Sequence, residues 1–184
     1  MDAGVIAARY AKALLKYVLE TGNGDKTYAQ ACVIVLRMEE IPQLRDYVGE
    51  HSGIPDEKKM MLLETALGEP MLKEISDFLI LVMQRRRTGF LLRMFNSFID
   101  QYRGAMNIMT GRLVTAYPAD GLKERLEELF AERTGADVRL DVEVDPSIMG
   151  GFVFTLEDWR MDASVESQFR KIHNTLIDNN NRIV

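Results

Sequence analysis

A chain of 184 residues, 47% apolar and 28% charged, has the makeup of an ordinary globular protein, long enough for one large domain or two small ones. Its net charge of -5 and pI near 5.2 exclude a general nucleic-acid binder, which needs a concentrated basic surface to neutralise phosphates. A lone cysteine, Cys32, excludes an internal disulfide and suits a reducing compartment, and it reads as a small apolar helix residue ahead of a catalytic thiol.

Residues 1 to 104 read as successive helices separated by short breaks: "TGNGD" at 21–25, "EIP" at 40–42, "HSGIPDE" at 51–57 and "LGEP" at 67–70. Pro55 and Pro70 suit first-turn positions, where a missing N–H removes no bond, and the acidic residues after Pro55 favour a helix N-terminus. Five or six helices in this stretch predict a helical bundle.

After Gly104 the pattern changes, and this change marks the expected domain boundary. "NIMTGRLVTAY" (107–117) favours a strand. "LKERLEELFAERTG" (122–135) predicts an amphipathic helix with Leu122, Leu126, Leu129 and Phe130 on one side and Gly135 as its stop. "DVRLDVEVD" alternates, so Val138, Leu140, Val142 and Val144 share one face of a half-exposed strand. "GFVFTLEDWRMD" reads as two strands turning at Glu157-Asp158. Ser164 can cap a last helix with Val165, Phe169, Ile172 and Leu176 at helical spacing, and "DNNNRIV" reads as a frayed tail. The N-terminus has no signal-peptide pattern, and no run reaches the roughly 18 apolar residues of a membrane span. Those features predict a cytosolic chain that can dock at a membrane.

Few residues suggest catalysis. His51 and His173 stand alone in different domains, without the cysteine pairs or His-Glu-x-x-His spacing of a metal site. Gly150-Gly151, in "DPSIMGGFVF", are followed by a strand and not by a helix whose N-terminus receives phosphate, so they read as a tight strand entry or a bulge. Asp145, Glu157, Asp158 and Asp162 allow an acid/base pair, but aspartates at turns are ordinary hydrogen-bonding residues. Arg85, Arg86 and Arg87 follow an apolar helix and read as a solvated helix end or as a contact for an acidic segment. Met38, Met60, Met61, Met71 and Met83 fall in helical stretches and read mainly as core filler, with an adaptable partner surface as the lesser reading.

Two helices are more apolar than a bundle surface requires. In the first, Arg9, Lys12, Lys16 and Glu20 recur every three or four residues and form one narrow charged stripe, leaving two apolar faces between Val5 and Leu19. In the fifth, "FLILVM" (78–83) is apolar on every side. Either both helices are central in the bundle or they present a groove for a partner's amphipathic helix.

Three stretches together resemble one family. "IAARYAKALLKYV" (6–18), "LVTAYP" (113–118) and "VDPSIMGGFVFTLEDWRMDASVESQFRKIHNTL" (144–176) are similar to signatures of the delta subunit of bacterial F-type ATP synthase. The mitochondrial relative of that family is the oligomycin-sensitivity conferring protein. The chain departs from the common "D-G-S-V-R" pattern with Asp162-Ala163-Ser164-Val165-Glu166.

The resemblance implies a mainly α fold with a smaller α+β part. An N-terminal six-helix bundle over 1–105 would bind the catalytic head, and a C-terminal domain over 106–184, with a short sheet and two helices, would bind the peripheral stalk. It implies a non-catalytic stator subunit without cofactor or metal, peripheral on the cytoplasmic face of the bacterial inner membrane. Its partners would be the N-terminal helix of an alpha subunit and the b subunits. The implied contacts for that helix are Ala7, Tyr10, Ala11 and Leu14 on the first helix and Leu79, Val82, Met83 and Arg86 on the fifth. Without the resemblance, the residues support a two-domain cytosolic interaction protein, including one that pairs with itself through its first helix, ahead of an enzyme with carboxylates and His173 in a cleft.

Overall fold

The computed structural model describes residues 3–50, 52–119 and 121–180, with 174–180 described by backbone alone. His51, the Leu176 side chain and residues 181–184 lie outside the described residues. The chain divides into two compact units, Met1–Ala105 and Met106–Val184.

The first unit is helical: α1 (Ala3–Thr21), α2 (Gly24–Glu40), α3 (Pro42–Val48), α4 (Asp56–Leu67), α5 (Lys73–Gln84) and α6 (Leu91–Met106), with a 3-10 turn at Thr88–Phe90. The breaks have local causes. Pro42 opens α3, Pro55 stands just ahead of α4, and Gly68 ends α4 in the left-handed region at φ 76°, its N–H bonded to the Glu64 carbonyl. Pro70, expected in the first turn of the fifth helix, lies instead in the linker before it. The cause is Gln30, which is 4% exposed: its Nε2 donates to the Pro70 carbonyl at 2.9 Å and its Oε1 accepts from the Leu72 N–H at 2.9 Å. That pairing satisfies the linker backbone without a helix, and α5 starts only at Lys73.

Aromatic rings dominate the packing of this unit. Phe78 meets Phe95 edge-on at 5.5 Å, Phe98 lies 5.9 Å from Tyr102, and Tyr102 stacks on Tyr28 at 5.1 Å. Phe95, Phe98 and Tyr102 are buried on α6, each worth about 2 to 3 kcal/mol in area removed from water. Among the methionines singled out from sequence, Met38 and Met83 are core, Met60 and Met71 are half-buried, and Met61 is exposed. Cys32 is partly buried on α2.

The second unit is built on a four-stranded sheet in the order β2-β1-β3-β4, from β1 (Ile108–Thr115), β2 (Asp137–Val144), β3 (Phe152–Leu156) and β4 (Trp159–Asp162). β1 pairs parallel with β2 across the crossover helix α7 (Leu122–Thr134), and β1 and β4 each pair antiparallel with β3. The apolar alternation predicts which face α7 covers. Leu113, Val138, Leu140, Phe154 and Leu156 form the core, with Leu122, Leu126 and Phe130 packed on it and Phe130 stacked on Phe154 at 4.6 Å. One expectation is corrected. Leu129, placed with Leu122, Leu126 and Phe130 on the apolar side of α7, is exposed, because the Leu122, Leu126, Phe130 row takes the contact. On the half-exposed strand β2, Val138 and Leu140 are buried and Val142 and Val144, on the same face, are exposed.

The turns follow the sequence closely. Glu157-Asp158 form a two-residue hairpin, with Glu157 at φ 47°. Gly151 has φ 74°, and a β-carbon there would overlap the Ala163 carbonyl, so the glycine serves close backbone approach. The last helix, α8 (Val165–Asn180), is capped by Ser164, whose Oγ accepts from the Ser167 N–H at 3.2 Å. Asp162 accepts from the Ser164 N–H and Oγ and from the Ser167 Oγ, and these bonds draw its carboxyl down to about 2. Residues 178–180, expected to fray, continue the helix. Glu166, one of the departures from the family pattern, pairs with Arg170 one turn on. Trp159 on edge strand β4 is 72% exposed.

Candidate partner-binding groove

Helical spacing puts Ala7, Ala11, Leu14 and Val18 on one stripe of α1, and all are buried. Ile6, Tyr10, Ala13 and Tyr17 make a second stripe about a quarter turn away; Ile6, Tyr10 and Tyr17 are half-buried and Ala13 is exposed. α5 is divided in the same way. Ile75, Phe78, Leu79, Val82 and Met83 are buried, while Ile80 and Leu81 are 44% and 41% exposed.

The helices run antiparallel. Tyr17, late in α1, donates to Asp77 Oδ2 early in α5 at 3.0 Å, and Tyr10 meets Arg87 just beyond the end of α5. Between them lies an open groove of about 200 Å³, lined by Ala13, Leu14 and Tyr17 from α1 and Asp77, Phe78 and Leu81 from α5. Its floor is apolar, and its one small wall residue, Ala13, allows a backbone to approach.

Hydrogen bonds and ring contacts hold both ends of the groove. At one end the Tyr17 phenol bonds to the Asp77 carboxylate, which raises its pKa, since losing the proton would set two negative charges together. Asn23 Nδ2 donates to Glu74 Oε1 at 2.7 Å and keeps that carboxyl below its ordinary value. At the other end the Arg87 guanidinium lies 5.5 Å from the Tyr10 ring centroid, and Arg87 Nη1 donates to the Tyr10 hydroxyl at 3.4 Å. Tyr10 also meets Phe78 edge-on at 6.4 Å. The groove is therefore preformed in the free chain, which lowers the ordering cost of binding.

The structure distributes the eight expected contact residues unevenly. Ala7, Ala11, Leu79, Val82 and Met83 are 0 to 6% exposed and occupied by packing within the first unit. Ala7 and Ala11 are small enough to let α1 approach α2 and α5, and α5 also meets α2. Leu14 is also buried but contributes to the groove floor, Tyr10 flanks the groove, and Arg86 is exposed beyond α5 at φ 51°. Ala13, Tyr17 and Asp77 were not singled out from sequence, whereas Phe78 and Leu81 belong to the FLILVM run and Arg87 to the arginine cluster. The signal for Ala13 and Tyr17 was the second stripe of α1, legible as Ile6, Tyr10, Ala13, Tyr17 once Ala7, Ala11, Leu14 and Val18 are assigned to the interior.

The residues of the enzyme reading have local structural roles or stand apart. Asp145 accepts from the Ser147 N–H at 2.9 Å, Asp162 anchors the α8 cap, Glu157 and Asp158 form the hairpin turn, and His173 is exposed on α8. Among the described residues no three His, Cys, Asp or Glu are placed to share a metal ion, and no helix is long and apolar enough to cross a membrane. In the second unit Met161 on β4 and Phe169 and Ile172 on α8 are exposed apolar residues.

Comparison with known proteins accounts for nearly the whole chain. The family model described as ATP synthase delta (OSCP) subunit matches residues 6–176. The chain is 38% identical over 186 residues to the ATP synthase subunit delta of Phocaeicola vulgatus, and 35% identical over 188 residues to that of Bacteroides thetaiotaomicron, covering 100% of both chains in each case. Its fold is similar to that of a chain in the cryo-EM structure of the Toxoplasma gondii mitochondrial ATP synthase hexamer, with a TM-score of 0.58 and 16% identity over 93% of this chain and 97% of that one. The signatures in α1, β1 and the β3 to α8 segment, with the end-to-end match to these relatives, place the chain in the ATP synthase delta (OSCP) subunit family.

Proposed function

We propose that this chain is the non-catalytic stator subunit of a proton-translocating F-type ATP synthase, joining the catalytic head to the peripheral stalk so that the head does not turn with the rotor. In this reading α1 to α6 form one six-helix bundle that takes the N-terminal helix of an alpha subunit in the α1/α5 groove. The second unit engages the b subunits, and exposed Phe169, Ile172 and Met161 support a partner there. The chain sits at the cytoplasmic face of the inner membrane and is held there through the complex.

The observation that carries the reading is the groove itself. α1 and α5 have already buried one apolar stripe each, and Ala13 and Leu81 remain open beside a floor of Leu14 and Phe78. A stator must also dissociate slowly under torque, so nanomolar affinity or better, about -12 kcal/mol, is expected, with a few aromatic and aliphatic anchors dominating.

Titration calorimetry of the full chain with an alpha-subunit N-terminal peptide tests this. Leu81→Asp and Tyr10→Asp should each weaken binding at least tenfold while the helical circular dichroism spectrum stays native. Unchanged affinity in both folded variants would remove the α1/α5 groove as the site.

A further inference from the structure

A second cavity opens between the first turn of α4 and the end of α5, and it shares no lining residue with the α1/α5 groove. Its volume is about 480 Å³, within the roughly 300 to 1,000 Å³ of small-molecule sites. Two buried polar side chains line it. Lys59, in the first turn of α4, is 4% exposed, and its Nζ donates to the Gly49 carbonyl at 2.8 Å. That neutral acceptor takes one of three ammonium protons, and among the described residues no carboxylate pairs with the charge. Buried lysines ordinarily have an anionic partner. Thr88, just past α5, is 6% exposed, and its buried Oγ1 has no hydrogen-bond partner among the described residues. The exposed lining residues carry the opposite balance: Glu50 and Asp56 supply two carboxylates against the single guanidinium of Arg86. The cavity is thus positive toward its interior and negative at its rim.

We propose that this cavity binds a small zwitterion of the amino-acid type, its carboxylate inward at Lys59 and Thr88 and its ammonium outward at Glu50 and Asp56. The carboxylate compensates the buried ammonium and gives the Thr88 hydroxyl an acceptor. Met83 and Ile54 add apolar wall for the carbon chain that joins the two ends. A simple anion meets the two carboxylates at the rim without a cation to offset them, and a simple cation meets Lys59, so each single-charged ligand is disfavoured at one end. The site acts as a dipole that matches a ligand of zero net charge.

Amide-resolved NMR of the full chain tests this, with ε-aminocaproate as the zwitterion and caproate and hexylamine as probes that keep one charged end each. ε-Aminocaproate should shift the Gly53 and Thr88 amides saturably and bind at least fivefold more tightly than either single-ended probe. Thr88→Val and Lys59→Gln should each weaken it at least tenfold. Lys59 also ties α4 to the end of α3, so a second variant decides independently of any loss of fold. In the chain carrying both Glu50→Gln and Asp56→Asn, at two exposed positions, the advantage of ε-aminocaproate over caproate should disappear while the helical circular dichroism spectrum stays native. Equal binding of the three probes, or an unchanged preference in that double variant, would overturn the zwitterion site. Absence of a saturable shift with every probe would do the same.

Discussion

At Gly151 two separate demands meet: a left-handed φ of 74° and a space already filled by the Ala163 carbonyl. Gly22 has nearly the same φ, 75°, but the space a β-carbon would take there has nothing within 4 Å of it. Gly22→Ala should therefore show backbone strain alone, about 1 kcal/mol, whereas Gly151→Ala should lose about 3 kcal/mol or more in urea denaturation followed by circular dichroism. From sequence the glycine pair could be read as a site of close approach but not as an approach to Ala163, which the β3–β4 hairpin brings back to it. Asp162 gives a pH-dependent counterpart. Its pKa falls from 3.8 to about 2, so its contribution to stability is fully present above pH 3.8 and is lost as pH falls through about 2. Asp162→Asn should flatten that stretch of the stability curve, as measured by denaturation at a series of pH values.

The elements were legible where punctuation was local and less so where tertiary bonds set the boundary. Pro42 and Gly68 mark helix ends by their own backbone chemistry, while the start of α5 depends on Gln30, more than forty residues earlier in the chain. Gln30→Leu would leave the Pro70 carbonyl and the Leu72 N–H without their partner, and a loss of about 2 to 4 kcal/mol is expected in thermal or chemical denaturation. The same limit applied to the groove. Periodicity showed that α1 has two apolar faces, yet a face carries no label saying whether a neighbouring helix or another protein covers it. Ala7 and Ala11 suggested close approach, and the approach they permit is internal. Leu79, Val82 and Met83 mark the interior stripe of α5 for the same reason, so the open stripe could be recognised only once the interior one was placed.

For the molecule as a whole, the sequence signatures identified the family and the change of pattern after Gly104 lies beside the division between Ala105 and Met106. Between Val5 and Glu20, α1 carries three cations, Arg9, Lys12 and Lys16, against one carboxylate, Glu20, so laying α1 of one copy along α1 of another brings like charges together. Sedimentation of the isolated chain should accordingly give a monomer of 21.0 kDa, and a concentration-dependent dimer would favour self-pairing through α1 instead. The one tryptophan of the chain lies in the second unit, on β4, with most of its indole in water. Its fluorescence is thus an optical label supplied by the protein itself. A partner that covers β4 dehydrates the indole and moves the emission to the blue, so the spectrum reports engagement of the second unit without any attached dye.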